Sequence, residues 1–309
     1  MGAYITRRLL WLPFLLFAIS LITFLLGRIA PGDPVEIMLG NRYDVKVAAN
    51  LREQLGLDRP MLVQYGDYMW KAIQGDFGES LRFRGRAVGE LLGPKMWVSF
   101  QVNLMAMIAS VSVGLPLGFF IARRQGRWQD PFTVVISLIL MSIPIMVTIP
   151  FILLAMCRWW DLVPCSGWGG IWDARIIVPT ITLGLFGFAG LMRLMRASTL
   201  DVMGQDFIRT AYAKGLSRYT VDYRHILKNA LIPIVTVLSL SLDGMLTTSF
   251  VAERILGIPG MGDFVIQSIF NRDYPVIMAV TLVGSTAFVL ANLFADIAYT
   301  IIDPRIRYR

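Results

Sequence analysis

The sequence predicts an all-α polytopic membrane protein with six transmembrane helices. Of its 309 residues, 56% are hydrophobic and only 16% are charged. Soluble domains carry about 25% charged residues. Apolar runs recur at roughly the 20-residue length that crosses a bilayer as a helix. None shows the alternating ten-residue pattern of a membrane barrel.

The predicted spans are Leu9–Ile29, Val98–Ile121, Phe132–Met156, Ile176–Met192, Ala230–Ala252 and Val276–Ile302. The first is too long for a signal-peptide core, and no small-residue cleavage site follows it. Residues 1–97 therefore read as one membrane helix plus an external helical connection. Residues 98–309 read as a five-helix core with a cytoplasmic loop at about 197–229.

An even number of spans puts both ends on one side. That side holds fifteen Lys and Arg: Arg7 and Arg8, Arg123, Arg124 and Arg127, seven from Arg193 to Lys228, and Arg305, Arg307 and Arg309. The two short loops opposite hold four: Arg158, Arg175, Arg254 and Arg272. The positive-inside rule then places both termini in the cytoplasm. Topology accounts for the net charge of +8, so nucleic acid is not invoked.

In the first external connection, Val45–Leu55 reads as a helix stopped by Gly56. Pro60 suits the first turn of the next helix. There Met61, Leu62, Tyr65, Met69 and Ile73 share one face, suited to the membrane or the bundle. "GDFGESL" (Gly75–Leu81) reads as a turn. In the third span Pro144 and Pro150 are candidate kinks. Cys157 and Cys165 fall in one external loop and form a candidate disulfide, with two unpaired thiols as the alternative. The Gly- and Pro-rich stretch Glu253–Pro275 favours turns over regular helix.

The segment "QDFIRTAYAKGLSRYTVDYRHILKNALIPI" (Gln205–Ile234) is polar and basic, yet it lies between two apolar spans. Asp206 is a candidate N-cap. Phe207, Ile208, Ala211, Tyr212 and Gly215 share one helical face, apolar at one end and small at the other. Gly215 stops that helix and Ser217 can cap the next. This elbow exposes an apolar face rimmed by Arg209, Lys214 and Arg218. Such a face marks a protein interface or a helix lying among lipid headgroups.

The segment resembles the cytoplasmic "EAA" loop of ABC importer permeases, with Ala211 on an alanine of that pattern and Gly215 on its glycine. Arg209 stands where the glutamate belongs. Lys228 replaces the proline, which comes later as Pro233. These departures are the form of the peptide and nickel branch. Further matches run through the chain in order: "RRLL", "APGDP" (Ala30–Pro34), "LGLDRP" (Leu55–Pro60), "GDFGES", "RASTLDVMGQDFIRTA", "NRDYPVI" (Asn271–Ile277) and "DPRIR" (Asp303–Arg307). The chain is similar to the B-type permease subunit of a dipeptide, oligopeptide or nickel ABC importer.

The resemblance implies a type I importer permease fold in a bacterial-type inner membrane. It implies a second homologous permease, two cytoplasmic ATPase subunits and an external substrate-binding protein as partners. The elbow would seat a coupling helix in a groove of an ATPase, with Phe207, Ile208, Arg209, Thr210, Ala211, Ala213, Lys214 and Gly215 as contacts. The expected cargo is a di- or oligopeptide, with nickel, glutathione or another small solute as alternatives.

The chain lacks a G-x-x-x-x-G-K-[ST] phosphate loop, so no ATP, magnesium or other cofactor is expected on it and no catalytic role. A lone histidine, His225, makes no zinc site. Gly260–Asp263 spells the G-x-G-D of intramembrane aspartyl proteases, and Tyr43–Asp44 offers a second aspartate. Both fall in external segments, where no shared acid pair is expected. Asp243 falls near the middle of the fifth span, where a charge costs about 2.5–3.5 kcal/mol on insertion scales. It is a candidate for the translocation path, as are Gln101, Asn103 and Asn292. A stand-alone secondary transporter predicts inverted repeats with paired broken helices, a pattern absent from the sequence.

Overall fold

The computed structural model describes residues 2–29, 33–39, 44–241, 243–246 and 250–302. Every regular element among them is helical. The long apolar helices are α1 (Gly2–Ile29), α5 (Val88–Ala122), α8 (Ile177–Met203) and α14 (Tyr274–Ile302). Short helices α2 (Pro34–Leu39), α3 (Val45–Gln54) and α4 (Met61–Ile73) fill the connection between α1 and α5.

Among the described residues four helices are long and apolar enough to cross a membrane, or five if one bent pair counts as a span. That pair is α6 (Gln129–Ser142) with α7 (Ile145–Leu153), which a π-helical turn extends to Trp159; its arms meet at 100°. Pro144 causes the break: it sits between the arms in extended backbone and offers no N–H to a carbonyl of α6.

The predicted fifth span is not one helix. α11 (Lys228–Ser241) has 14 residues, about 21 Å at 1.5 Å per residue, short of a hydrocarbon core. A 3-10 turn (Asp243–Leu246) and α12 (Phe250–Leu256) carry the chain on. Asp243 therefore opens a turn at a break, not the middle of a helix, and its side chain lies outside the described residues.

The helix pair α5–α8 forms the centre of the bundle. Small residues bring the backbones together: a β-carbon on Gly118 would lie 2.8 Å from Met195 Cβ, and one on Gly187 would lie 2.6 Å from Ser110 Oγ. Ser110 Oγ lies 2.8 Å from both Ala106 O of its own helix and Gly184 O of the other, sharing its one proton between them. Without water, close approach and interhelical hydrogen bonds carry helix association.

The connection follows the sequence reading closely. Asp44 caps α3 through the Lys46 and Val47 amides, Gly56 takes φ 64 just beyond it, and Pro60 precedes α4. Tyr65 of α4 packs on Phe17 and Phe24 of α1 and lies 2.7 Å from Ser20 Oγ. Met61, Leu62 and Ile73 remain exposed.

Two short-element clusters sit at opposite ends of the bundle. One is the elbow, built from α9 (Asp206–Ala213), α10 (Arg218–Thr220) and a π-helical segment, Val221–Leu227. The other is a cap, in which α13 (Met261–Phe270) packs its Met261 and Phe264 against Val88 and Leu92 of α5 and Val276 and Ala279 of α14. Helix α13 corrects the expectation of turns in Glu253–Pro275. Gly257, Pro259 and Gly260 fall before Met261, Gly262 sits in the first turn and Pro275 lies past the end, so the helix interior is uninterrupted.

Candidate functional site

At the elbow, α9 presents two faces. Ile208 and Ala211 are buried, 3% and 6% exposed, against Val221 and Ile226. They hold the elbow together and are withdrawn from its surface. Phe207, Arg209, Thr210, Tyr212, Ala213, Lys214 and Gly215 are exposed. Three apolar side chains join that surface without having been singled out in the sequence: Leu216, Tyr219 and Tyr223. Tyr219 and Tyr223 lie with ring centroids 4.6 Å apart, and Tyr223 reaches Phe119 of α5 at 6.0 Å. The i, i+4 spacing of the two tyrosines was the available signal.

Asp206 is the first residue of α9 and not its cap. Gln205 holds the cap position, without a side-chain bond. The Asp206 carboxylate then acts through the helix dipole and faces Arg209 at 3.6 Å in full solvent, a weak contact. Ser217 does cap the next helix, accepting from Thr220 N at 3.3 Å. Gly215 takes φ 75, in the left-handed region that favours glycine, and a side chain there would meet open space.

One polar tie fixes the elbow to the spans, and two more join the spans beside it. Arg123, just past α5, approaches Asp222 at 2.5 Å, both side chains largely buried. Burial pushes the Asp222 carboxyl above its ordinary range, while Arg123 and Arg218 pull it down. Arg196 of α8 binds Asp130 of α6 through two contacts, 2.5 and 2.9 Å. Ser198 Oγ donates to Ala230 O at 2.9 Å, joining α8 to the start of α11.

A cavity of about 460 Å³ opens between α5, α8, α11 and the Asp243–Leu246 turn. Asn103, Met107 and Ser110 line it from α5, Phe186, Gly187 and Gly190 from α8, and Val237 and Ser241 from α11. Among the described residues no charged side chain lines it. Of the path candidates, Asn103 lies on this wall, its amide donating 2.9 Å bonds to Ser99 O and Met245 O. Gln101 lies on α5 outside the lining set. Asn292 donates to Phe288 O within its own helix.

Asp263 of the G-x-G-D sequence is part of the cap. Its carboxylate pairs with Arg254 at 2.8 Å and accepts from Gln267. Tyr43 lies outside the described residues, and Asp44 caps α3. Beside Asp263, the carboxylate of Glu253 is fully buried. It accepts from Ser99 Oγ at 2.5 Å, Gly262 N at 2.7 Å and Asp263 N at 3.2 Å. The sequence reading missed this knot. Cys157 is buried, Cys165 is exposed, and both thiols are free, so no disulfide joins them in this structure. Among the described residues no three His, Cys, Asp or Glu side chains come together as a metal site would need.

Long apolar helices, a central cavity and a basic aromatic elbow define a multi-pass membrane protein of the transporter kind. Residues 114–308 match the family described as "Binding-protein-dependent transport system inner membrane component", and residues 1–110 match its N-terminal membrane-component family. The chain belongs to this family of ABC importer permeases. It is 38% identical to the "Probable peptide ABC transporter permease protein y4tP" of Sinorhizobium fredii, with 100% of both chains covered. It is 35% identical to the "Dipeptide transport system permease protein DppB" of Alkalihalophilus pseudofirmus, again over 100% of both. The "Glutathione transport system permease protein GsiC" of Escherichia coli K12 is 35% identical over 99% of each chain. Among solved structures, an inward-facing MetNI methionine ABC transporter chain shares the fold, with TM-score 0.53 and 16% identity, over 69% of this chain and 97% of that one.

Proposed function

We propose that this chain forms half of the path for di- or oligopeptides in an ATP-driven importer and transmits force from separate ATPase subunits. The observation that carries this reading is the elbow. Its outer surface combines Phe207, Tyr212, Leu216, Tyr219 and Tyr223 with Arg209, Lys214 and Arg218, and its inner residues pack it against α5 and α8. Arginine and aromatic residues are the side chains enriched at protein interfaces. In this reading the elbow lies in the cytoplasm and seats on an ATPase, while the cap faces outward toward a substrate-binding protein. Both termini are then cytoplasmic, and a second homologous permease closes the open side of the cavity. The chain itself carries out no catalysis and binds no nucleotide.

The cargo reading rests on relatives named for peptide, dipeptide and glutathione transport. Glutathione is itself a small peptide, so the three share an amide-linked, zwitterionic cargo. Asp243, Gln101, Asn103 and Asn292 stay candidates for contacts along the path, with Asn103 favoured by its place on the cavity wall.

Copurification and uptake test the reading together. The double variant Phe207→Ser, Tyr219→Ser alters two exposed rings and should keep the bundle folded. It should lose most of its bound ATPase subunits in detergent and most peptide uptake. Normal uptake by this variant and by Gly215→Asp would remove the coupling assignment. Competition between labelled dipeptide and glutathione in the same vesicles separates the cargoes.

A further inference from the structure

The cap carries a basic turn that neither the cavity nor the elbow uses. Residues 80–86 read Ser-Leu-Arg-Phe-Arg-Gly-Arg. Ser80 N donates to Arg86 O at 3.1 Å, Arg86 N donates to Phe83 O at 3.0 Å, and Glu79 pairs with Ala87 in an isolated antiparallel bridge. Gly85 takes φ 71 at the tip.

The base of the turn is pinned. Asp273, 1% exposed, accepts from Ser80 Oγ at 2.5 Å and from the Leu81 and Arg82 amides at 3.1 and 3.4 Å. Ser80 Oγ in turn accepts from Phe83 N at 2.9 Å. Above this base Arg82, Arg84 and Arg86 are all exposed. No carboxylate among the described residues pairs with any of them, although Glu79 and Glu90 flank the turn. The Arg82 guanidinium lies over the Phe83 ring at 5.5 Å, and Arg84 donates to Met38 O. Phe270, 81% exposed, stands three residues before Asp273.

Height decides what can meet this turn. Helix α5 has 35 residues, about 52 Å of rise. The hydrocarbon is about 30 Å thick, with roughly 5–8 Å of headgroup on each side. Arg123, Arg124 and Arg127 follow directly on the elbow-end terminus of α5, and exposed Trp97, stacked on Phe100 at 5.5 Å, marks the other interface. Val88 begins nine residues beyond Trp97, about 13 Å further out. With the interface at Trp97 and α5 along the membrane normal, the turn lies beyond Val88 and past the headgroups.

We infer that the Arg82–Arg86 turn is the docking point for an acidic surface on the external substrate-binding protein. This rests on the importer reading above. That height favours a protein partner over lipid. Three exposed guanidinium groups with no carboxylate partner among the described residues call for carboxylates, and arginine beside exposed aromatic rings is the composition of interface hot spots. The Asp273 anchor holds the turn in one shape, so docking orders little.

The test uses the assembled transporter in neutral phosphatidylcholine nanodiscs with its own binding protein. Wild type should bind with an association rate that falls as salt rises. The triple variant Arg82→Glu, Arg84→Glu, Arg86→Glu should associate at least about ten-fold more slowly and lose most of that salt dependence. The triple lysine variant should keep most of the rate. ATPase activity without the binding protein should be unchanged in all. Unchanged association in the glutamate variant, or an equal loss from Lys71→Glu elsewhere on the connection, overturns the proposal while leaving the importer reading intact. A defect that appears only in adhesion to phosphatidylglycerol vesicles overturns it in favour of lipid. If wild-type transporter fails to engage the binding protein at all, this inference and the importer reading fail together.

Discussion

The two ends of the bundle are held by opposite means. At the cap, two buried carboxylates bracket α13: Glu253 sits on the amides of its first turn, and Asp273 follows its last residue by three. Each takes a serine hydroxyl at 2.5 Å from the chain leading into or lying within α5, Ser99 and Ser80. At the elbow, four small or aliphatic side chains and one ion pair do the holding, and the connection to α11 runs through a seven-residue π-helical segment. Buried hydrogen-bonded carboxylates enforce one geometry, because every alternative strands a charge or several amides. A small apolar contact tolerates sliding, and π turns are common at functional sites. The cap is thus built to stay rigid and the elbow to yield.

Removing the Glu253 carboxylate strikes that contrast hardest. Glu253→Ala strands Ser99 Oγ, Gly262 N and Asp263 N together, which costs roughly 3 kcal/mol or more at the usual cost per buried unpaired group. The purified chain should melt earlier, and the amide hydrogens of α12 and α13 should exchange faster with solvent. Ser99→Ala removes one donor to Glu253 and also the acceptor of Met261 N, and should cost about 1–3 kcal/mol. Equal melting of wild type and Glu253→Ala would show that the cap is not held by this knot.

Ile226→Ala is the matching cut at the elbow. Ile226 is fully buried against Ile208 and Ala211, so a loss of roughly 2–4 kcal/mol is expected locally. Exchange should rise across residues 206–227 while the spans melt as before. A general loss of stability would mean that the elbow is as tightly integrated as the cap.

Asp273→Asn should act on one turn only. It keeps the size of the side chain but replaces one of the acceptors that serve Ser80, Leu81 and Arg82, at about 1–2 kcal/mol. Trypsin should then cut after Arg82, Arg84 or Arg86 sooner than in wild type, with the rest of the digest unchanged.

How much of this was legible depends on the range of the contacts. Long apolar runs and local stops were readable: α1, α5, α8 and α14, the Pro60 entry and the Gly215 exit all follow from neighbours in sequence. The α9 face was read half correctly. Phe207 and Tyr212 point outward, but Val221 and Ile226 return through the π segment to cover Ile208 and Ala211, and an i, i+4 count cannot see that return. The break after Ser241 was hidden by hydropathy, although Asp243-Gly244 is a turn pair. Small residues at 114, 118, 184 and 187 spaced three or four apart carried the α5–α8 contact in plain sight. The Glu253 knot joins residues 154 apart in the chain, and only the fold brings them together.

The smallest effect separates the two ends by acidity. Burial raises the Asp222 carboxyl above its ordinary value of 3.8, and Arg123 and Arg218 oppose that rise. A carboxyl raised on folding stabilises the folded form while protonated. Its contribution is present below 3.8 and is lost as pH climbs through the raised value. Elbow protection from hydrogen exchange, corrected for intrinsic rates, should therefore fall slightly as pH rises from about 4 to 7. Arg123→Met removes a cation that pulls Asp222 down, so the fall should deepen and extend to higher pH. Asp222→Asn has nothing to titrate there and should give a flat profile. A slope in Asp222→Asn equal to that of wild type would assign the effect to another group.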